Sequence, residues 1–427
     1  MSKDQTKFRG YLVAFCTLII GVLSTGMAGI YGMMIPSISE GLNIPYETLY
    51  YIFTISCVVS FVTNFLLAGV IKKIGIRWEL DIGVICRAID FLIMANATKF
   101  WHIICAAIFG STCGSFAGFA TLAIVVDRWF IKDRAKWQGI VMGAAVFGTP
   151  LFTFIGGQII YHMNYHVAYY LMLAVDIILG ILCLIFIVDP EKIGQKPLGW
   201  EERAQLEAAA ADSAANAKTG PTMKQLFKSP ALYVLLLACM VFTMTVESFG
   251  SYGASYFATR GLNELQYSSI LTIGMLVFAV VTLFSGGLSQ KLGSKKVLIL
   301  CAVCGAVGSI LFYIWGDHPS MGLLTAAALI IAVSCPLEVN FSTFTGYDVL
   351  GGRAFDNYSP LFTAALYGGV ALTPFILNVI AAKYGDIKQF YLVCCIGSLV
   401  FLVLSLLCYV ISPMKKQKDV EEKTDTE

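Results

Sequence analysis

Apolar residues in this chain run in long unbroken stretches, without the alternation that marks an element with one wet face. Twelve such stretches lie at approximately 11–35, 48–71, 79–97, 102–126, 137–160, 167–188, 231–257, 266–288, 297–315, 321–345, 359–381 and 389–412. Each is about 20 residues or longer, enough to cross a hydrocarbon core of about 30 Å as a helix. Backbone polar groups in lipid must be satisfied within their own segment, so the runs predict transmembrane helices. The first run is too long, and lacks the small-residue cleavage site, for a removable signal peptide; it reads as the first membrane helix.

Composition agrees. Of 427 residues, 58% are hydrophobic and 13% charged, about half the charge of a soluble domain, and mean hydropathy is +0.77. The thirteen cysteines are odd in number and fall mostly within the spans. They predict buried, reduced thiols, with no disulfide frame and no metal site. The net charge of +2 carries no signal for nucleic acid, because the charges are sorted by loop. With the N-terminus inside, inner segments hold 24 Lys and Arg against four in outer loops, Lys99, Arg260, Lys383 and Lys388. That bias predicts cytoplasmic termini and a multi-pass protein of the cell (inner) membrane.

The longest polar interior segment, 189–230, is charged, then Ala-rich, then closed by Gly220-Pro221. It predicts a cytoplasmic linker between an N-terminal six-helix lobe (1–188) and a C-terminal one (231–412), with a cytoplasmic tail at 413–427. The halves repeat. GVIKKIGIR (69–77) after the second span answers GLSQKLGSK (287–295) after the eighth, with Gly69, Gly75 and Arg77 matching Gly287, Gly293 and Lys295 at an offset of 218. Lys73 and Lys291 also match at that offset. GIYG (29–32) answers GSYG (250–253) at an offset of 221. Parallel halves of this kind predict a two-lobed transporter with its site near the midplane.

These loops resemble the G-x-x-x-D-(R/K)-x-G-(R/K) signature of the major facilitator superfamily. The chain departs from it where Lys72 and Gln290 stand in place of Asp, so a latch carried by that Asp is not implied. YGMMIPSISEGLNIPYETL (31–49), DRWFIKDRAKWQGIVMGAAVFG (127–148) and DPEKIGQKPLGWEE (189–202) look like the oxalate/formate antiporter and monocarboxylate transporter branch. The resemblance implies an all-α membrane protein with twelve transmembrane helices in two six-helix lobes, moving small organic anions. It also implies that helices 1, 4, 7 and 10 line the path, while helices 3 and 6 lie behind it. Within the fifth span, Gly139, Gly143 and Gly148 thin one side, which serves plain packing or a gating movement.

Ionisable groups inside a span are costly and so are candidates for function. Arg87, Asp90, Asp176, Glu247 and Glu338 lie well inside. Around Glu247, Thr243 and Ser251 share a face, and Ser248, Tyr252 and Ser255 form an adjacent polar row. Glu338 has Ser334, Ser342 and Thr345 on its face and Asn340 nearby. Both stripes predict cavity walls where a carboxylate couples protons, against the plainer alternative of permanent hydrogen bonds to neighbouring hydroxyls or Asn340. Arg87 and Asp176 have apolar neighbours and read as dry. Asp90, at i+3 from Arg87, is its expected partner, with Asp176 in reach across helices as a third member, so this network reads as structural rather than substrate-binding. Tyr31 and Tyr252 hold equivalent positions in the two halves, suited to an outer gate, to stacking on a flat solute, or to an interfacial belt.

No HExxH, nucleotide loop or Ser/His/Asp pattern occurs, so the chain reads as neither enzyme nor ATPase, with no cofactor. The expected function is secondary active transport of a small organic solute, a monocarboxylate-type acid first, by a monomer using proton coupling or solute exchange. The branch usually carries a basic residue in helix 8 or 11, and none stands there in this chain. A neutral or cationic solute therefore stays open, as does a transporter-derived sensor or scaffold.

Overall fold

The computed structural model describes residues 8–131, 134–200, 221–351 and 353–414; side chains at 65–72, 119–120, 127, 134–136, 139, 182–183, 286, 290, 338–339, 343 and 355–357 are outside the description. Contacts divide the chain into two compact units, Met1–Ala210 and Ala211–Glu427. The dividing point falls in 201–220, outside the described residues.

The first unit runs α1 (Gly10–Ala28), α2 (Ile30–Leu42), α3 (Tyr46–Ile74), α4 (Ile76–Ala95), α5 (Phe100–Phe116), α6 (Phe119–Trp129), α7 (Arg134–Val146), α8 (Gly148–His162) and α9 (Tyr165–Val175). A π-helical turn, Asp176–Gly180, then leads into α10 (Ile181–Phe186). The second unit runs α11 (Met223–Leu226), α12 (Pro230–Gly250), α13 (Gly253–Thr259), α14 (Glu264–Leu292), α15 (Ser294–Trp315), α16 (Met321–Ala332) and α17 (Pro336–Phe341). A π turn, Ser342–Gly346, follows, then α18 (Tyr347–Leu350), α19 (Phe355–Tyr384) and α20 (Lys388–Val410).

Among the described residues ten helical stretches, some joining two of these helices, are long and apolar enough to cross a bilayer. Two of the twelve expected spans fall outside that set for physical reasons. The helix α4 is 20 residues long, yet it carries Arg77, Glu79, Asp81, Arg87 and Asp90. The 321–345 span breaks after Ala332 and restarts at Pro336, whose missing N–H suits the first turn of a helix but not an interior.

The sequence repeat has a structural counterpart. Helices α3 and α14 are both 29 residues, and the offset of 218 maps one onto the other end to end. Each is followed by a glycine, Gly75 at φ 84°, ψ 158° and Gly293 at φ 85°, ψ 144°. A side chain is disfavoured at that backbone conformation. An added Cβ would meet nothing within 4 Å at either position. Conformation, not space, selects glycine there.

Glycine serves close approach in the fifth span. A Cβ on Gly148 would lie 2.2 Å from the Val22 carbonyl, and one on Gly26 would lie 2.5 Å from the Gly148 carbonyl. Paired glycines let α1 and α8 meet backbone to backbone, a contact available to lipid-embedded helices without hydrophobic drive. Tight packing is thus the observed role of Gly148.

The start of the expected linker is ordered against the first unit. Leu198 N donates to Trp129 O (2.9 Å) and Ile131 N donates to Leu198 O (3.0 Å). The Trp129 indole donates to Val188 O (2.9 Å), and Arg128 Nη1 pairs with Asp189 Oδ1 at 2.7 Å. Residues 189–200 form a strap across the end of α6. All twelve cysteines among the described residues are thiols, outside any disulfide. Cys301 and Cys304 have Cys-x-x-Cys spacing, but both sit as thiols on α15.

Candidate functional site

The helix α4 presents a buried stripe at Glu79, Gly83 and Arg87, spaced i, i+4 and i+8 along one face. The Arg87 guanidinium is 3% exposed and fully engaged. Its Nε donates to Asp176 Oδ1 at 2.7 Å, its Nη2 reaches the same oxygen, and its Nη1 donates to Ser24 Oγ at 2.6 Å. A longer contact, 3.9 Å, runs from Nη1 to Cys113 Sγ. Asp176 begins the π turn and is itself 0% exposed. Gly180 closes that turn beside the pair; a Cβ there would lie 2.9 Å from Val84 Cγ1 and 3.2 Å from Asp176 Oδ1. One carboxylate oxygen therefore holds the cation, while Asp176 Oδ2 has no hydrogen-bond partner among the described residues.

This corrects the expected network in two respects. Asp90 is not the ion-pair partner of Arg87; Asp176, across helices, is. Nor is the neighbourhood fully packed: Arg87 and Asp90 both line a cavity of about 260 Å³ in the first unit. Its wall takes Ser24, Met27 and Tyr31 from α1 and α2, Phe53, Ser56 and Ser60 from α3, Gly110 and Ser111 from α5, and Tyr169 from α9. Spacing along α4 could not show this cavity, because its other walls belong to helices far away in sequence.

Asp90 is half-buried and makes no ion pair or hydrogen bond with another described residue. Its carboxylate rests against α5, where a Cβ on Gly110 would sit 2.6 Å from Asp90 Oδ2. Tyr31 spends its hydroxyl on Leu49 O (3.1 Å) and packs edge-on to Phe53, with ring centroids 5.6 Å apart. Its ring therefore faces the cavity with the polar end already satisfied.

In the second unit Glu247 is half-buried on α12, and Ser251 Oγ donates to its Oε2. Glu247 thus has one hydrogen bond, to a hydroxyl of its own helix. The adjacent row is not a cavity wall. Thr243, Ser248 and Ser255 are 0% exposed and Tyr252 is 1% exposed. Thr243 donates to Cys239 O (3.0 Å) and Ser248 to Thr245 O (2.6 Å). Hydroxyls in membrane helices satisfy themselves on preceding carbonyls, so a polar stripe need not face water. Tyr252 packs edge-on to Phe390 at 6.2 Å. Its counterpart Tyr31 lines a cavity, so the two tyrosines do not share an environment.

Asn340 Nδ2 donates to Pro336 O (3.1 Å) and to Ser285 Oγ (3.3 Å), tying α17 to α14. The side chain of Glu338, and those at Gly69 and Lys72, lie outside the described residues. Lys73, Lys291 and Lys295 are exposed, Gly287 is exposed, and Arg77 is half-buried. Sequence reasoning also missed Glu79. It is 0% exposed, with Thr121 Oγ1 donating to its Oε1 at 2.9 Å. The signal was its i−8 register from Arg87. Among the described residues no three metal-ligating side chains gather.

A mostly helical chain with ten bilayer-length helical stretches among the described residues, two compact units and buried charges beside a cavity defines a polytopic membrane transport protein. The Major Facilitator Superfamily model matches residues 17–355, and the chain belongs to that family, whose members are transporters and not enzymes. Multidrug resistance protein 2 of Bacillus subtilis (strain 168) is 22% identical over 301 residues, covering 70% of this chain and 71% of that protein. Among solved structures, a variant of the nucleoside transporter NupG superposes with a TM-score of 0.71 at 13% identity, over 93% of this chain and 100% of that one. A variant of the peptide transporter POT, in complex with sulfate, matches with a TM-score of 0.71 at 12% identity, over 96% and 100%. At those identities the two structures share the fold with this chain.

Proposed function

We propose that this protein is a proton-coupled secondary transporter of a small organic solute that is neutral or positively charged where it is bound. It works as a monomer by alternating access, in the cell membrane with both termini cytoplasmic. The engagement of Arg87 carries the reading of the solute's charge. The guanidinium is occupied by Asp176 and Ser24, so the wall of the first unit's cavity offers no spare cation to a carboxylate substrate, while Asp90 adds a negative charge. A monocarboxylate-type acid fits this wall only in its protonated form. The multidrug-resistance name of one relative supports a solute that need not be an anion.

The coupling group is Glu247. It is a carboxylate in the membrane held by one hydroxyl, with no cation paired to it among the described residues, and so it is free to load and release a proton. Counterflow in proteoliposomes with labelled monocarboxylates, amines and neutral analogues of one size tests the proposal. Uptake that is saturable for amine or neutral solute and driven by an inward-acid or inward-alkaline gradient is expected. Saturable exchange restricted to the ionised carboxylate would refute it.

A further inference from the structure

We infer that the partly open cavity within the first unit is a recognition pocket for a small organic cation of the amine class, with Asp90 as its counter-charge. The inference deepens the reading of a neutral or cationic solute and rests on it.

Three observations meet at this pocket. Its wall has two charged side chains, Arg87 and Asp90, and one of them is already neutralised. Arg87 turns its Nε and Nη2 to Asp176 and its Nη1 to Ser24, leaving Asp90 as the carboxylate without a bonded partner among the described residues. A carboxylate in a membrane interior calls for a positive partner; Arg87 is bonded to Asp176 and acts on Asp90 only through space.

Around Asp90 the wall is aromatic. Tyr31, Phe53, Phe91 and Tyr169 line the same space, and Phe91 and Tyr169 pack with centroids 6.1 Å apart. Ring faces attract an ammonium group most strongly where it has shed water. The hydroxyls of Ser56, Ser60 and Ser111 complete the set with acceptors for the remaining N–H groups.

Size narrows the class. At about 260 Å³ the space lies below the range of about 300–1,000 Å³ typical of drug-sized sites. A one-ring amine fits; a large dye-like cation does not. Gly110 bears on the same point. A side chain there would strike Asp90 Oδ2 at 2.6 Å, so glycine keeps the carboxylate free to turn toward a ligand.

Three ligands of nearly one shape and different charge test the pocket: phenethylammonium, phenethyl alcohol and phenylacetate, titrated by calorimetry into the full-length protein in detergent. Phenethylammonium binds, the alcohol binds about tenfold or more weakly, and phenylacetate gives no saturable heat, because a charged hydrogen bond is worth about 1.5–3 kcal/mol. Asp90→Asn lowers affinity for the cation about tenfold or more. Gly110→Ala keeps every charge and also lowers it, by crowding the carboxylate. Equal or tighter binding of phenylacetate overturns the inference. So does unchanged cation affinity in Asp90→Asn, or in Gly110→Ala if the first variant does not fold. The transport reading fails separately: cation binding without counterflow would remove the transporter and leave the pocket, while counterflow without cation binding would remove the pocket alone.

Discussion

The two halves of this chain share their helix plan and differ in how they treat charge. In the first unit an Arg–Asp pair is buried across helices beside a cavity, and a second carboxylate, Asp90, faces that cavity. In the second, Glu247 stands with a single hydroxyl, Ser251, and its polar neighbours are packed away. Duplicated topology thus carries two unlike sites. One has an Arg–Asp pair whose contact holds helices together, the other has a carboxylate with little to hold. Balanced charge is expensive to break and suits a scaffold around a binding space. Lightly held charge is cheap to protonate and suits coupling.

The largest expected effect breaks the balanced side. Asp176→Asn leaves Arg87 buried without its bonded counter-charge, and removal of one partner of such a pair costs about 3–5 kcal/mol. Thermal unfolding of the detergent-solubilised protein should show a large drop, with part of it recovered in Arg87→Met combined with Asp176→Leu, which removes both charges. A single mutant as stable as the parent would show that the pair does not hold the unit together. Arg87→Ala with Asp90→Ala, by contrast, should recover nothing over Arg87→Ala alone.

The lightly held side predicts a functional loss without a structural one. Glu247→Gln keeps a side chain able to bond Ser251 and removes the titrating proton. Uphill, pH-driven uptake should vanish while solute exchange and melting temperature persist. Gradient-driven accumulation equal to the parent's would assign coupling elsewhere.

A smaller effect checks that the halves are equivalent in plan. Gly75→Ala and Gly293→Ala each place a side chain at φ near +85°, at a cost of about 1–3 kcal/mol. The two melting temperatures should fall by similar amounts. A loss confined to one variant would mean that the matching corners differ in what they support.

The smallest effect lies in the second unit, between the end of α15 and the start of α20. The Lys388 ammonium beside Asp317 holds its carboxyl below the usual carboxylate range. A depressed folded-state pKa contributes stability that is present above the unfolded value and is lost as pH falls through the folded one. Wild-type stability should therefore fall more than that of Lys388→Met as pH drops below the ordinary value of 3.8. Exposure of Asp317 keeps this slight, and identical pH profiles would remove the pair from the account.

Much of this protein was legible in one dimension. Transmembrane length, the Gly75 and Gly293 corners and the twofold repeat depend on local rules: a span needs about 20 apolar residues, and a left-handed corner needs glycine whatever surrounds it. The buried charges were legible too, because a Lys, Arg, Asp or Glu inside an apolar run stands out by type alone. Their partners were not. Asp90, three residues from Arg87, looked like its mate, yet the pair formed with Asp176, 89 residues away. Helical register brings Asp90 near, but the direction of the guanidinium is set by which neighbouring helix offers an oxygen.

Wetness was equally hidden. The polar row beside Glu247 proved packed: Ser248, Tyr252 and Ser255 are buried, and Ser248 bonds a carbonyl of its own helix. The apolar stretch around Arg87 proved to border a cavity, because a cavity is the space several helices fail to fill. Sequence alone determined most of the spans, the repeat and, Glu79 apart, the inventory of buried charge, since each follows from residue type and spacing along one chain. Only tertiary structure decided which charges neutralise one another and which is left facing a cavity, since both depend on distances between helices that no local period encodes.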